Sequence, residues 1–307
     1  MRIAVTGASG FVGGHVVEQL CAEGHTVLTF GRRTSRALER PLPAYLSWDV
    51  CTGQIVVPRM DVVVNCAALV GDWGPESAYR RTNVDGTRAV LETFACAERF
   101  VHVSTTSVYS DDVVKMRMRE DASAGRCRHS AYGRTKAEAE ALVRGRRPDA
   151  VILRPHIVYG PGDPTILPRI IAARRCGRFV MPGTGRNLLS VTHVANLVLA
   201  VSRAIRTPHA SGTFNIADAG DVSASDLLTT IFARLGKPTR LVFVPRALAW
   251  RAARELERVW PWRKAPRGPS LTRFAVAQLA DDHTVDITRA RTVLGYEPRW
   301  TYRDGPL

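Results

Sequence analysis

The stretch Ala4–His15, "AVTGASGFVGGH", limits what this chain can fold into more than any other. It places Gly7, Gly10 and Gly13 directly after an apolar, strand-like run and at the head of a helix-forming one. In such a unit one glycine makes a tight turn, one lets the backbone approach a pyrophosphate, and one permits close helix–strand packing. The helix start then offers free N–H groups and partial positive charge to phosphates. A purely structural turn has no use for the third glycine. The spacing predicts a strand–turn–helix unit that binds a dinucleotide through Gly7, Gly10, Phe11, Val12 and Gly13.

The alternation continues through the first half. Strand-like runs read at Arg2–Thr6, Thr26–Phe30, Asp61–Ala67, Phe100–Ser104 and Ala150–Arg154, with helical patterns at Val12–Glu23, Thr82–Ala97 and Tyr132–Arg144. Runs such as "DVVVNCAA" are apolar on both faces, as parallel strands covered by helices on both sides must be. The expected fold is α/β: a Rossmann-type doubly wound parallel sheet with a smaller α/β C-terminal substrate cap. After about Gly160 the pattern loosens, and single helices (Ser223–Leu235, Arg246–Val259) stand between Pro-, Gly- and Arg-rich segments. The expected division is a dinucleotide-binding domain of residues 1–165 plus about 188–217, and a cap of about 166–187 and 218–307.

Composition removes several alternatives. The 307 residues suffice for a substantial core. At 45% hydrophobic and 23% charged, the balance is that of a soluble globular protein. No apolar run approaches the roughly 20 residues that cross a bilayer, and "MRIAVTGASG" does not read as a secretion leader. The six cysteines are scattered without a CxxC pair, which argues against a metal site or disulfide framework and for a reducing cytoplasm. The net charge of +15 raises the question of nucleic acid. Only four of the 43 basic residues are lysines, however, and the arginines are spread along the chain without a dense run among aromatics. No nucleic-acid partner is expected.

The second strand-like run ends "TVLTFGRRTSRA". A free ribose 2′-OH is usually read by an Asp or Glu about 20 residues after the glycines. Gly31 stands there, followed by Arg32 and Arg33, two guanidiniums suited to a 2′-phosphate. The expected cofactor is NADP(H) in preference to NAD(H).

"SAYGRTKAEAE" then puts Tyr132 and Lys136 four apart at the start of a helix, one above the other on one face. A carbonyl that accepts a hydride becomes an alkoxide and needs a proton from a positioned group. A free phenol titrates near ~10. An ammonium at ~5 Å in an effective dielectric of ~20 favours phenolate by about 3 kcal/mol, or roughly two pKa units.

Taken together, "TGASGFVG", Asp49, "NCAA", "NVDGT", "STTSVY", "YGRTK" and "RPHIVYGPGDP" resemble the extended short-chain dehydrogenase/reductase superfamily over nearly the whole chain. The resemblance implies that Tyr132 gives or takes the proton and that Lys136 binds the nicotinamide ribose and lowers the tyrosine pKa. It implies that the Thr105 hydroxyl holds the reacting oxygen, with Asn83 in support. The cofactor contacts it implies are Asp49, Val50, Ala67, Ala68, Pro155 and Val158. The 4,6-dehydratases of the superfamily carry an Asp-Glu pair where Thr106 and Ser107 stand, so water elimination lacks its acid and base here.

"GDWGP", "GTGRNLLSVTHVANL" and "LTRFAVAQLADDHTVD" are most similar to the 3β-hydroxysteroid dehydrogenase branch, with its sterol 4-carboxylate dehydrogenases and 2-alkyl-3-ketoalkanoate reductases. That branch implies a largely apolar small-molecule substrate, met by Trp73, Thr106 and His156, with His156 in a supporting hydrogen bond. Asn196 is expected to cap a helix from Leu197. Some sterol-acting relatives carry an apolar membrane segment near Val244–Ser270; here Trp250, Trp260 and Trp262 are interleaved with too many arginines to span. A cap helix with inward tryptophans is expected there, a substrate lid or weak contact with a membrane surface being the alternatives. The chain ends at "RDGPL", sooner than the resemblance implies, and a homodimer is left open. The expected activity is NADP(H)-dependent ketone–alcohol interconversion. A sugar-nucleotide epimerase with the same Tyr–Lys chemistry, and a non-catalytic NADP-binding sensor, are the alternatives.

Overall fold

Val62, Val63, Val64 and Asn65 are all buried, so this four-residue strand has no face toward solvent. Such a strand is stable only with helices on both sides, and the rest of the chain supplies them. The computed structural model describes residues 1–38, 41–260 and 268–307. In chain order the first half comprises β1 (Arg2–Thr6), α1 (Phe11–Ala22), β2 (Thr26–Gly31), β3 (Tyr45–Ser47), β4 (Val62–Asn65), α2 (Glu76–Arg80), α3 (Gly86–Thr93), β5 (Arg99–Val103), α4 (Ala131–Arg146) and β6 (Val151–Pro155). The second half comprises β7 (Val158–Tyr159), α5 (Ile166–Ala173), β8 (Arg178–Pro182), β9 (Leu188–Leu189), β10 (Thr192–His193), α6 (Val194–Arg206) and β11 (Gly212–Ile216). It ends with β12 (Val222–Ser223), α7 (Ala224–Arg234), β13 (Arg240–Val244), α8 (Arg246–Val259), α9 (Arg273–Ala280) and α10 (Thr288–Leu294).

Seven strands form one sheet in the order β11-β6-β5-β4-β1-β2-β3. Every neighbouring pair in it is parallel. The chain runs outward from β1 through β2 to β3, then returns to β4 on the other side, which opens a crevice at the carboxyl ends of β1 and β4. One face is covered by α1, α6 and α10, where Val16, Leu20, Leu197, Val201 and Leu294 meet the strand side chains Val5 and Val64. On the other face Val90, Phe94 and Val143 pack on Val63, Phe100 and Ile152. A separate core joins α7 and β8 through Phe179, Met181, Leu227, Ile231 and Phe232. No helix among the described residues is long and apolar enough to cross a membrane.

Three local expectations change. The run read as one helix from Thr82 begins at Glu76 and passes through a π-helical turn, Arg81–Asp85, before α3. The wider turn sets Asn83 inward, where it is 1% exposed. Asn196 does not cap α6, which starts at Val194 with the His193 ring accepting from Ala195 N. Instead Asn196 lies inside the helix, donates to Asp218 and Trp300 O, and accepts from Arg299 N. The partners come from distant segments, which the local sequence cannot announce. Finally, α8 buries only Ala249 and Ala253. Small residues let it lie close to α9, while Trp250 and Trp260 are only partly buried and Trp262 lies outside the described residues.

Candidate active site

β1 ends at Thr6, and Gly7 turns the chain with φ +67°. A Cβ on Gly7 would stand 2.8 Å from Ala67 N, and one on Gly13 would stand 2.2 Å from Gly7 O. Both glycines are therefore demanded by close backbone approach. Helix α1 starts at Phe11 behind Gly10, with no side-chain cap and no acid in its first turn. Its leading N–H groups stay available to an anion. The turn faces Cys66 and Ala67 in the loop after β4, so the cradle sits at the crevice. Its shape and polarity fit the pyrophosphate of a dinucleotide.

Asp49 and Val50 sit in different surroundings. Asp49 is partly buried, which pushes its carboxyl up. The 3.0 Å bond from Cys51 N and the charges of Arg32 and Arg81 outweigh that and hold it below its ordinary value. Val50 is 6% exposed and packs on the core side, within 2.6 Å of where a Cβ on Gly86 would be. At the end of β2, a Cβ on Gly31 would come 2.5 Å from Ser9 Oγ and 2.8 Å from Tyr45 OH. No carboxylate fits at position 31 unless both side chains move. Arg32 and Arg33 are exposed beside them, and Tyr45 OH donates to Arg33 O at 2.7 Å.

The hydroxyl of Thr105 lies just past β5, where it accepts from Ser107 N at 3.1 Å. Ser130 caps α4 by accepting from Gly133 N at 2.9 Å. A Cβ on Gly133 would stand 2.3 Å from Ser107 O, so the glycine inside "YGRTK" lets α4 press against the Thr105 turn. That approach brings the Tyr132 phenol to the Thr105 hydroxyl. Burial pushes the phenol up to about 12, against the lowering effect of Thr105.

Lys136, expected to pull the Tyr132 pKa down, is bonded to β5 in this structure. Lys136 is 2% exposed and donates to Val103 O at 2.7 Å, with His102 Nε2 at 3.4 Å. Its stem runs toward β5. Burial lowers its own pKa to about 8, with Glu140 and Cys66 pulling the other way.

Residues that the sequence reading passed over hold this group in place. Glu140 is fully buried and accepts from Ser104 Oγ at 2.6 Å and from Arg154 at 2.9 and 2.7 Å, tying β5, α4 and β6 together. Thr6, Asn65 and His102 form a buried polar thread across β1, β4 and β5 that ends at Lys136. Asn83 bonds Leu69 N and O and Thr135 Oγ1, pinning the loop after β4 to α4. Asn83, unlike the others, was named from the sequence, as a support to the reacting group. The only sequence signal for the thread was a polar residue at the inner end of each strand.

The three expected substrate residues do not form one surface. Thr106 is fully buried and 2.6 Å from His156 Nδ1, so it faces inward. His156, 2% exposed, stacks on His283 with ring centroids 3.9 Å apart. Burial and the charge of Lys115 lower His156 to about 3. Trp73 lies in a separate loop held by Thr272 on Asp72 at 2.6 Å. Pro155 and Val158 flank His156 at the end of β6 and in β7, and Pro155 is buried. His283 had no place in the sequence reading, since a lone histidine in a loop carries no spacing signal.

Comparison with known proteins bears on the family and the fold. Residues 3–217 match the NAD dependent epimerase/dehydratase family. The 2-alkyl-3-oxoalkanoate reductase of Stenotrophomonas maltophilia (strain K279a) is 30% identical, over 99% of this chain and 97% of its own. The decarboxylating sterol-4-alpha-carboxylate 3-dehydrogenase of Homo sapiens is 29% identical, over 99% and 86%. Among solved structures, the UDP-glucuronic acid 4-epimerase from Bacillus cereus in complex with NAD superposes with a TM-score of 0.74 at 23% identity, over 99% and 96% of the two chains. The Rossmann-type sheet, the glycine cradle and the matched length together make this chain a member of the NAD dependent epimerase/dehydratase family, an extended short-chain dehydrogenase/reductase.

Proposed function

We propose that the protein is an NADP(H)-dependent oxidoreductase that interconverts a ketone and a secondary alcohol on a largely apolar substrate of the β-keto/β-hydroxy-acid or 3β-hydroxysteroid kind. The observation that supports the reading is the contact of the Tyr132 phenol with the Thr105 hydroxyl, one helical turn before the buried Lys136 on α4. Bound in the glycine cradle, the nicotinamide cofactor supplies or accepts the hydride. Tyr132 stays protonated at neutral pH and is thus ready to donate to an oxygen that becomes an alkoxide. Thr105 orients that oxygen. Lys136 keeps an ammonium proton for the ribose hydroxyls, and the substrate cap is formed by the elements around α5 and α7 to α9.

Thr106 and Ser107, where a dehydratase needs carboxyl groups, disfavour dehydration. The epimerase alternative shares every one of these residues and differs in substrate. Assay of oxidation and reduction across sterols, β-hydroxy acids and UDP-sugars separates them. Turnover of a UDP-sugar alone would overturn the apolar-substrate reading.

Two further results are expected. Burial sets Lys136 near 8, so its charged form is present below that pH and lost above it. kcat/KM falls as pH rises through about 8, before Tyr132 ionises, and a flat profile to pH 10 would remove Lys136 from the reaction. The corner of Gly31, Ser9 and Tyr45 holds no acid, while Arg32 and Arg33 offer charge. One charge-assisted bond contributes about 1.5–3 kcal/mol. NADPH is therefore preferred over NADH by roughly ten- to a hundredfold in kcat/KM. Arg32→Ala reduces that ratio; an unchanged ratio in the variant, or equal use by the wild type, refutes the NADP preference.

A further inference from the structure

Ile157 is a β-branched residue with φ +42°. Side chains of that shape rarely hold such a backbone, and they keep it only where the surroundings over-determine it, as functional sites do. The kink lies between β6 and β7, where the chain leaves the large sheet and β7 pairs with β10 instead. Thr192 clamps it: its Oγ1 donates to His156 O at 2.8 Å and accepts from His156 N at 3.2 Å, and its N donates to Ile157 O at 3.3 Å. The Ile157 side chain packs on the core that joins α7 and β8. Clamp and packing together fix the backbone from which the His156 ring projects.

That ring joins two parts of the molecule. Its Nδ1 is 2.6 Å from Thr106 Oγ1, and Thr106 opens the short turn Thr106–Val108. The Thr105 hydroxyl caps the same turn by accepting from Ser107 N at 3.1 Å. Helix α4 presses on it where a Cβ on Gly133 would stand 2.3 Å from Ser107 O. Across its face the ring stacks on His283, with centroids 3.9 Å apart and planes 13° from parallel. Both rings are buried, and burial above all keeps them neutral, so no charge repulsion opposes the stack.

His283 belongs to a segment far along the chain. Its backbone is stitched to β9: His283 N donates to Leu188 O at 2.8 Å, and Ser190 N donates to His283 O at 2.9 Å. Strand β9 pairs with β12, and Leu189 shares a core with Leu227 and Phe232 of α7. His283 Nε2 has no hydrogen-bond partner among the described residues, so the stack, and not a bond at that nitrogen, carries the tie. Thr284 makes its own bonds, to Lys115 O and from Arg117 N. These do not involve the His283 ring, and a substitution of the ring therefore tests the stack alone.

We propose that His156 and His283 are positioning residues for the reaction. Their stack transmits the placement of the substrate cap to the turn that holds Thr105, so that the Thr105 hydroxyl is aligned with Tyr132 only when the segment around His283 is seated. The inference rests on the oxidoreductase reading for what the alignment serves, and on the geometry for the link itself. A misplacement of about 1 Å lowers a rate by roughly a hundredfold. Breaking the link thus lowers kcat by roughly ten- to a hundredfold and leaves KM close to wild type.

The test uses the full chain and two readouts. One is amide hydrogen exchange over residues 104–110 without substrate; the other is kcat with NADP+ on the panel of sterols, β-hydroxy acids and UDP-sugars. His283→Ala speeds exchange in that distant segment by roughly tenfold and lowers kcat by the factor above. Thr106→Val, which keeps the shape of the site, does the same without leaving a cavity. Adding His283→Ala to Thr106→Val changes neither readout further, because the link is already cut, whereas independent structural effects would add. His283→Phe restores a ring face and recovers most of both. The Kd for NADP+ and urea unfolding check that each variant is folded. Unchanged exchange over 104–110 in His283→Ala, or losses that add in the double variant, overturn the link and leave the redox reading standing. Exchange that responds while kcat does not overturns the positioning role. A panel without turnover overturns the redox reading, and the exchange results then decide the link alone.

Discussion

Tyr132→Phe lowers kcat by roughly 10²–10⁴-fold on a confirmed substrate, the usual loss when a positioned acid is removed. The phenylalanine keeps the ring that packs against Tyr79 at 6.5 Å, so fold and cofactor affinity stay close to wild type. The deficit lies in kcat more than in KM, because the lost bond strengthens as the oxygen gains charge. Thr105 and Lys136 remain, so a residual rate above background is expected. A variant that retains more than about a tenth of wild-type kcat shows that Tyr132 is not the acid.

Glu140→Ala is expected to be the most destabilising single change in the nucleotide-binding half. It leaves the guanidinium of Arg154, 3% exposed, buried without its carboxylate. Breaking such a pair from one side costs about 3–5 kcal/mol, a large share of the roughly 5–15 kcal/mol that holds a domain. Glu138→Ala is the control: its pair with Arg80 is exposed at 40% and 55% and is worth about 0–1 kcal/mol. Urea unfolding of the three proteins measures the difference. A Glu140→Ala loss below about 1 kcal/mol would mean that Glu120 O and the Tyr109 ring suffice for Arg154.

The pH sign follows from the same pair. Burial pushes Glu140 up, but Arg154, Ser104 and Arg144 outweigh it and hold its pKa below the ordinary 4.5. Its contribution is thus complete above that value and is lost as pH falls through the lowered one. Wild type should lose stability on acidification more steeply than Glu140→Ala.

Much was legible along the chain because the signals are local. Strand and helix periods, three glycines and the four-residue step from Tyr132 to Lys136 each lie within a dozen residues, and each is imposed by backbone geometry alone. The short strand β3 was missed because three residues carry no period, and β11 because it joins the sheet through the long crossover of α6. The π turn at Arg81–Asp85 escaped because its residues suit an ordinary helix equally well.

What the sequence determined by itself is the frame: a parallel sheet, a phosphate cradle at its first turn, and a phenol and an ammonium on one helix face. What only the tertiary structure decided is what those groups meet. Lys136 meets Val103 and His102, Thr106 turns inward to His156, and Glu140 closes on Arg154 fourteen residues away. The reason is physical. Backbone hydrogen bonds and glycine sterics are set by neighbours in the chain. The ionisation and contacts of a buried side chain depend on desolvation and on partners brought from distant strands, and neither exists until the sheet has closed around them.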